Sequence, residues 1–295
     1  MLLIGTDEAG YGPNLGPLVV SATAWSLSKT IDLGAVGAVL RHRGIDIADS
    51  KRLYHGGGSL RALELGVWTV FLAADKTSVS LEMDRVDPCW QRDFFNEPVM
   101  DINRQMRELA ETFRQFVGLC GIKLLRNRSL ILGAAGFNRR LDVCGSKGTL
   151  LSETTLELVR DLLAEMPEYQ LKKAVVLCDK HGGRNRYLDV LNQFFPDVPF
   201  QVVEESRPLS TYRSKNLEFR FQSKGESQLP VALASMFSKY LREVCMLSFN
   251  TFWRSHLPGL KPTAGYPVDA KRFKADIAEV QAALGLPDDL IWRKK

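Results

Sequence analysis

Short apolar runs, each long enough for one β-strand, alternate along the chain with longer segments of helical periodicity. The first two runs are residues 2–5 and 17–25, and the loop that joins them is rich in glycine and proline. We predict that these runs form a central antiparallel pair of strands. Asp7 and Glu8 then lie on or beside the first strand, where the loop begins.

Five further runs are typical of strands. Residues 174–178 (AVVLC) are all apolar, as in a strand covered on both faces, and they place Asp179 at the carboxyl end of that strand. Residues 217–222 (LEFRFQ) alternate between apolar and polar side chains, which indicates a strand with one buried face. The other strand candidates are residues 122–125, 129–134 and 200–204.

Five segments repeat apolar residues at the spacing of a helix that buries one face. We predict that Ser59, Ser152 and Asp269 cap the starts of three of them. Pro230 in the first turn favours the start of another, which is the longest. The five segments lie at about 59–74, 102–117, 150–166, 230–246 and 269–284.

This alternation of strands and helices predicts an α/β fold, with a mixed central sheet flanked by helices. We expect a single domain over residues 1–295, with a C-terminal helical extension at about 247–295. Residues 75–121 interrupt the pattern, and we interpret them as an insertion that packs as its own hairpin or helix. Trp90, Phe94 and Phe95 in this insertion form either a small satellite core, which is the more common case, or a surface on which bases stack.

Composition agrees with a globular protein and leaves the partner open. The 295 residues are 45% hydrophobic and 25% charged, which excludes disordered and fibrous classes. The net charge of +5 permits a polyanionic partner such as nucleic acid without requiring one.

The cysteines and the N-terminal sequence predict a cytoplasmic location. Five scattered cysteines without paired metal-ligand spacing favour reduced thiols over disulfides or zinc. The first residues lack the basic and long apolar regions of a signal peptide, and no apolar run is long enough to cross a bilayer. We expect no membrane association. The cysteines are Cys89, Cys120, Cys144, Cys178 and Cys245, and we expect Cys178 and Cys245 to be small core residues.

The chemistry of the chain depends on how its acidic residues are interpreted. Asp7 and Glu8 beside a glycine-rich loop also fit a solvated turn, which is the more common case for such a stretch taken alone. Together with Asp179 and Glu243, however, they make an all-carboxylate set on two strands and a helix. Such oxygen ligands suit Mg²⁺ or Mn²⁺ rather than zinc. Two such ions activate water and stabilise the leaving oxygen in phosphodiester hydrolysis, and basic loops near the acids would hold the phosphates.

Five sequence blocks resemble type 2 ribonucleases H (ribonuclease HII), in the order that this family shows. DEAGYGPNLGPLVV at 7–20 resembles the opening signature, and ADSKRL at 48–53 resembles the Asp-Ser-Lys loop. AVVLCDKHGG at 174–183 resembles the strand that ends in a catalytic aspartate. SKGESQLPVALASMFSKYLRE at 223–243 is similar to the Lys-Gly-acid turn and the helix after it, and GYP at 265–267 is similar to the late Gly-Tyr segment. The blocks cover the chain except residues 75–121.

The resemblance implies a ribonuclease H-like fold and a hydrolase that cleaves the RNA strand of RNA–DNA hybrids, or cleaves beside a ribonucleotide embedded in DNA. It implies that Asp7, Glu8, Asp179 and Glu243 bind two Mg²⁺ or Mn²⁺ ions, with Asp7 bridging both. It also implies backbone and tyrosine contacts to the ribose 2′-hydroxyl, which distinguishes RNA from DNA. The expected substrate-binding residues are Gly10, Tyr11, Gly12, Ser50, Lys51, Lys180, Arg184, Ser235, Lys239 and Tyr266.

This chain departs from the family pattern at Tyr11, where the family has a basic residue, and at Glu243, where it has aspartate. Two other functions stay open from the sequence. One is a nuclease of the same fold that acts on DNA or structured RNA, and the other is a nucleic-acid binder without catalysis. We expect the protein to act as a monomer.

Overall fold

The computed structural model of the protein describes residues 1–54, 59–74, 79–83, 104–167 and 171–294. The strands in these ranges are β1 (Leu2–Ala9), β2 (Leu18–Leu27), β3 (Val79–Met83), β4 (Ile122–Leu132), β5 (Ala174–Asp179), β6 (Gln201–Glu205), β7 (Leu209–Arg213) and β8 (Leu217–Gln222). The helices are α1 (Leu33–His42), α2 (Ser50–Leu53), α3 (Arg61–Ala73), α4 (Arg104–Leu119), α5 (Ala134–Cys144), α6 (Lys147–Ala164), α7 (Leu188–Phe194), α8 (Leu229–His256), α9 (Pro267–Ala283) and α10 (Asp288–Ile291).

The strands form one mixed sheet in the order β3-β4-β2-β1-β5-β8-β7-β6. Strand β2 runs antiparallel to both of its neighbours, β1 and β4, whereas β1, β5 and β8 are parallel to one another. Helices cover both faces of this sheet. The α/β fold class, with a mixed central sheet flanked by helices, is therefore confirmed, and so is the central antiparallel pair of β1 and β2.

Each face of the sheet carries its own apolar core. Helix α8 packs on one face together with α3 and α4, over residues such as Leu3, Val19 and Phe237. The opposite face packs against α5, α6 and α7, over residues such as Ile4 and Phe219. A third core joins the second half of α8 to α9 and α10. As predicted, Cys178 and Cys245 are buried in the first two cores, whereas Cys89 lies outside the described residues.

Strand β4 is one continuous strand, so the prediction of two strands at 122–125 and 129–134 is wrong. The sequence Arg126-Asn127-Arg128 resembles a polar break, but its side chains alternate across the strand. Asn127 is fully buried on one face, while both arginines reach Glu165 on the other. Nε of Arg126 lies 3.5 Å and Nη1 of Arg128 lies 2.7 Å from the Glu165 carboxylate.

The predicted helix caps were only partly correct. Helix α6 begins after Ser146, whose hydroxyl accepts from the Thr149 N–H at 3.1 Å, and not at Ser152. Ser152 is buried within the helix, where it donates to the Gly148 carbonyl. Asp269 lies in the first turn of α9 and accepts from the Thr263 hydroxyl before the helix, so it ties the helix to the preceding loop without capping it.

The remaining predictions concern the cap at Ser59, the insertion at 75–121 and membrane-spanning helices. Ser59 stands two residues before α3 and accepts from the Arg61 N–H, close to its predicted role. The insertion at 75–121 contributes β3 and α4, whereas Trp90, Phe94 and Phe95 lie outside the described residues. Within the described ranges, no helix combines the length and apolar character needed to cross a membrane.

Helix α8 approaches β1 so closely that only glycine fits at residue 5. A Cβ on Gly5 would come closer than 3.0 Å to the main chain of Pro230 and Val231 at the start of the helix. The Thr23 hydroxyl on β2 donates to the Pro230 carbonyl at 2.8 Å, which holds the helix start in place. The close crossing therefore depends on a missing side chain and one buried hydrogen bond.

We predict that Gly5→Ala destabilises the fold by about 3 kcal/mol or more, because the new methyl group overlaps main-chain atoms that cannot rotate away. Equilibrium unfolding in urea measures this loss. Gly118→Ala in α4 is the matched control, since a Cβ there meets no atom within 4 Å. A Gly5→Ala variant as stable as the control would contradict the close crossing.

Candidate functional site

Two of the predicted acids stand side by side at the carboxyl ends of neighbouring strands. Thr6 of β1 pairs with Cys178 of β5, so the next residues, Asp7 and Asp179, follow on parallel strands about 4.8 Å apart. Glu8 is the next residue on β1. The strand register alone therefore brings three of the four predicted carboxylates to one edge of the sheet.

Asp7 is buried and held from two directions by serines of α8. The Ser235 hydroxyl donates to the Asp7 carboxylate, and the Ser50 Oγ lies 3.0 Å from the Ser235 Oγ. The Ser238 hydroxyl donates to the main-chain carbonyl of Asp7 at 2.9 Å. Only 8% of Asp7 is exposed. Its carboxylate therefore has a defined position, with Ser235 beside it and Ser50 behind Ser235.

Burial and neighbouring carboxyl groups raise the pKa of Asp7, Glu8 and Asp179. Burial raises the pKa of Asp7 to about 7, and the charges of Asp179 and Glu226 add to that shift. Burial likewise raises the pKa of Glu8 well above its usual value, with contributions from Asp7 and Asp179. Burial and the nearby Glu226 also raise the pKa of Asp179. The cluster therefore favours any bound cation that neutralises these charges.

Glu226 is an acid of this cluster that the sequence analysis did not assign to it. It lies in the turn Gly225–Ser227 between β8 and α8, and the Gly225 N–H donates to the Asp179 carboxylate at 3.1 Å. The side chain of Glu226 is only 11% exposed. The available signal was the Lys-Gly-acid turn itself, whose acid follows a strand parallel to those that end in Asp7 and Asp179.

Lys51 is the cation of this cluster. Its Nζ lies 3.5 Å from the Glu226 carboxylate, and its charge lowers the pKa of Glu8 and of Asp179. The side chain of Lys51 is 79% exposed, so its ammonium group remains accessible to an anion from solvent. The role of Lys51 in substrate binding stays a prediction.

Glu243, the fourth predicted metal ligand, is engaged elsewhere. Its carboxylate lies 2.5 Å from Lys239 Nζ and 3.3 Å from Arg242 Nη1, and it accepts from the Tyr54 hydroxyl at 3.2 Å. Glu243 is eight residues beyond Ser235, which corresponds to about 12 Å along α8. Its charge is therefore compensated by its own neighbours.

Lys239 lies beside Glu243, and Tyr266 lies beside Arg242, the residue before Glu243. Lys239 stands over the ring of Tyr54, 4.9 Å from its centre. The guanidinium of Arg242 lies 6.0 Å from the centre of the Tyr266 ring. Tyr266 is 54% exposed, so a face of its ring remains available to a ligand.

The glycine-rich loop places Tyr11 across from the loop that follows β5. A Cβ on Gly182, which has a positive φ of 56°, would approach the Tyr11 hydroxyl closer than 3.0 Å. Burial and the charge of Glu8 raise the pKa of Tyr11, whereas Arg184 lowers it. Gly10 packs against Arg242, while a Cβ on Gly12 would meet no atom within 4 Å. Tyr11 therefore connects the two loops that border the cluster.

Lys180 and Arg184 are held by the protein itself. Nζ of Lys180 lies within 3.4 Å of four acceptors, which are the Arg184 and Ser206 carbonyls, Asn185 Oδ1 and Ser210 Oγ. Arg184 donates to the Thr149 hydroxyl at 3.1 Å. Lys180 thus organises the loop after β5, because its ammonium group is already surrounded by acceptors.

Arg293 binds the main chain of the glycine-rich loop. Arg293 is fully buried and donates from Nη2 to the main-chain carbonyls of Tyr11 and Pro13, at 3.1 and 2.6 Å. Its guanidinium lies 4.2 Å from the centre of the Phe137 ring. The Arg293 N–H also donates to the Asn14 carbonyl at 2.8 Å. The loop's main chain is therefore fixed by a partner about 280 residues away in sequence.

The carboxylates do not form a ready coordination shell. In the part of the chain that the structure describes, no three acidic, histidine or cysteine side chains converge as a metal site. The donor chemistry nevertheless fits a hard divalent cation, because the cluster offers carboxylate oxygens and nearby acids add to the raised pKa of Asp7 and Asp179. Side-chain rotation of these acids would have to accompany metal binding.

No protein-family profile and no curated protein matches the sequence. Among solved structures, the chain is similar to ribonuclease HII from Archaeoglobus fulgidus in its complex with PCNA, with a TM-score of 0.47 and 18% identity over 100% of this chain and 95% of that one. Ribonuclease H2 from Pyrococcus horikoshii OT3 is similar with a TM-score of 0.47 and 16% identity, over 99% of this chain and 92% of that one. Bst-RNase HIII in complex with Mn²⁺ is similar with a TM-score of 0.41 and 16% identity, over 99% of this chain and 66% of that one. Similarity at this level carries no conclusion about activity.

We predict that Asp7→Asn stabilises the metal-free protein, and more so at pH 8 than at pH 5. The raised pKa of Asp7 means that ionising it costs folding free energy progressively as pH rises from 3.8 to about 7. Asparagine cannot ionise, so it removes that cost. Thermal unfolding in EDTA should show a gain on the order of 5 °C at pH 8.

The control for this experiment is Asp276→Asn, which removes an exposed acid that pairs with Arg272 on α9. We expect no gain in melting temperature for this variant at either pH. An equal gain for Asp7→Asn at pH 5 and pH 8 would contradict the raised pKa.

Proposed function

We propose that this protein is a nuclease of the ribonuclease H type that depends on Mg²⁺ or Mn²⁺. Its substrates are RNA–DNA hybrids, cleaved in the RNA strand, or DNA that contains an embedded ribonucleotide. The single observation that carries this proposal is the cluster of Asp7, Glu8, Asp179 and Glu226 at the carboxyl ends of parallel strands, where burial and neighbouring acids raise the pKa of Asp7, Glu8 and Asp179. A cluster of this kind costs stability unless a cation is bound, which is the expected property of a metal-dependent site.

Asp7, Glu8, Asp179 and Glu226 would hold the metal ions in this proposal. Two bound divalent ions supply an activated water and stabilise the leaving oxygen of a phosphodiester. Glu226 replaces Glu243 from the sequence prediction, because Glu226 acts electrostatically on both aspartates whereas Glu243 pairs with Lys239 and Arg242. Asp7 is the central ligand, since Ser235 orients its carboxylate and Ser238 fixes its main chain.

The residues around the cluster provide contacts for the nucleic acid. Lys51 is exposed beside Glu226 and offers its ammonium group to a phosphate near the cleaved bond. Tyr11 and Tyr266 present aromatic side chains on the loops near the cluster, and Gly12 leaves its main chain open to close approach. A main-chain and tyrosine contact to the 2′-hydroxyl distinguishes RNA from DNA at one nucleotide.

Lys180, Arg184 and Lys239 have different roles in this proposal. Lys180 shapes the loop after β5, and Arg184 connects that loop to α6. Lys239 neutralises Glu243 and so keeps this acid out of the metal site. The monomeric state and the cytoplasmic location remain predictions from the sequence.

Cleavage assays with three matched duplexes test the substrate. We expect an RNA–DNA hybrid, a duplex with a single ribonucleotide, or both to be cleaved with Mg²⁺ or Mn²⁺, and an all-DNA duplex to remain intact. Equal cleavage of all three would favour a general nuclease of the same fold. A protein that binds the duplexes but cleaves none with either metal would favour a binder without catalysis.

Substitution of the acids tests the metal site. Asp7→Asn and Glu226→Gln should each lower the cleavage rate by about 10³-fold, because each removes several kcal/mol of transition-state stabilisation. Glu243→Gln should stay within about tenfold of the native rate, since it changes an ion pair outside the cluster. Initial rates at saturating metal provide the comparison. Full activity of Glu226→Gln with an inactive Glu243→Gln would restore the original assignment to Glu243.

A further inference from the structure

Helix α8 leaves part of the sheet beside it uncovered. It lies mainly over β1 and β2, and next to it a groove of about 520 Å³ runs over β5, β8 and β7. We call this the sheet groove and define it by Leu3, Leu177, Lys173, Lys215, Arg213 and Arg220. Leu3 and Leu177 form the floor of the groove, and the lysines and arginines line it.

The alternating sequence of β8 explains why the groove is polar. Phe219 and Phe221 point to the opposite face of the sheet, where both are fully buried. Glu218, Arg220 and Gln222 therefore point into the groove. The pattern LEFRFQ thus specifies one apolar face for the core and one charged face for a surface.

The groove has more positive than negative charge. Its described lining includes four basic side chains, Lys173, Arg213, Lys215 and Arg220, and one acid, Glu218. Both arginines already donate to Glu218, at 2.6 and 2.5 Å, and they lower its pKa. The side chains of Arg213 and Arg220 are still 56% and 45% exposed. The shared acid therefore orients two guanidinium groups that keep donors free for a further anion.

The groove leads to the carboxylate cluster. Gln222 at one end of the groove pairs with Asp179 across β8 and β5, and Gln228 follows Glu226 by two residues. The other end lies at Lys173 and Lys215, where β5 and β8 begin. The length of β8 between these ends is about 17 Å. One surface thus connects the proposed cleavage site to the end of the sheet where β5 and β8 begin.

We propose that the sheet groove binds the sugar-phosphate backbone of a nucleic-acid arm that extends from the cleavage site. This inference rests on the proposed function, because the cleavage site at the carboxylate cluster is where the arm begins and enters the groove. At 3.4 Å per nucleotide along one strand, the groove accommodates about five nucleotides. The contacts are to phosphates, so the groove adds affinity without reading sequence.

Charge and length both favour a polynucleotide in this groove. A single phosphate would use one end of it, whereas a chain of regularly spaced phosphates reaches both the arginines and the lysines. Guanidinium groups also match the geometry of phosphate oxygens. An acidic peptide is the other anion of suitable length, and the experiment below distinguishes it.

The test uses the double variant Lys173→Gln/Lys215→Gln, because both lysines are exposed and their removal leaves the Arg–Glu–Arg contacts intact. The matched control is Lys29→Gln/Lys123→Gln, two exposed lysines outside the groove. Fluorescence anisotropy in EDTA measures binding to duplexes that extend three or ten nucleotides beyond a single ribonucleotide on either side. Titrations at several salt concentrations give the number of phosphate contacts.

We expect the native protein and the control to bind a long-armed duplex more tightly than a short-armed one. The groove variant should bind the long arm about tenfold more weakly at 100 mM salt, with a salt dependence reduced by about two phosphate contacts, and the short arm unchanged. Equal weakening for both arm lengths, or no weakening, would overturn the inference. A competition experiment would also overturn it if a polyglutamate peptide displaced the labelled duplex at a lower concentration than unlabelled duplex does, and if the groove variant no longer showed this displacement by the peptide.

Cleavage assays separate this inference from the proposed function. If the native protein cleaves none of the duplexes but the groove variant loses its long-arm affinity, the proposed function fails and the groove assignment stands. If cleavage is intact and the groove variant binds and cleaves long-armed duplexes like the native protein, the groove assignment fails alone.

Discussion

The close crossing of α8 over β1 brings Ser235, Ser238 and Glu226 to the acids that the strands carry. Because residue 5 has no side chain, the start of the helix lies directly on the strand, two residues before Asp7. The next turns of α8 then bring Ser235 to the Asp7 carboxylate and Ser238 to its carbonyl. The turn that precedes the helix carries Glu226 to the same place. One steric constraint therefore aligns groups from three separate parts of the chain.

The acids near this crossing are of two electrostatic kinds. Glu243 has Lys239, Arg242 and Tyr54 as partners, so its charge is compensated within the fold. Asp7 is buried beside other acids, and its hydroxyl partner offsets only part of the cost. Structural acids are normally paired, whereas uncompensated buried acids are concentrated at functional sites. The contrast between these acids is the physical basis for preferring one set as metal ligands.

Much of the sheet and part of the site were predictable from the sequence, for physical reasons that particular residues illustrate. The apolar run that ends in Asp179 predicted a buried strand with an acid at its carboxyl end, because burial on both faces leaves no alternation. Spacing alone does not distinguish Glu226 from Glu243 as a candidate ligand, since both belong to one sequence block. The i, i+4 pair of Lys239 and Glu243 was the available signal that this acid has a partner of its own.

Sequence and structure also differ where tertiary contacts override the local pattern. Arg126 and Arg128 resemble a break in a strand until Glu165, from the end of α6, approaches them. Lys180 resembles a free cation until four acceptors surround it. Local sequence shows which residues are polar, but only the folded chain shows which of them already have partners.

The contacts of Arg293 have a consequence for the order in which the protein matures during synthesis. The loop that carries Tyr11 is made before Arg293, and its main chain is held by this residue, which follows 282 positions later. At 5–20 residues per second, the interval is about 15–60 s. During that time the strands and helices can assemble while the loop beside the carboxylates lacks its support. The main chain of this loop therefore gains its buried arginine partner only after Arg293 has been made.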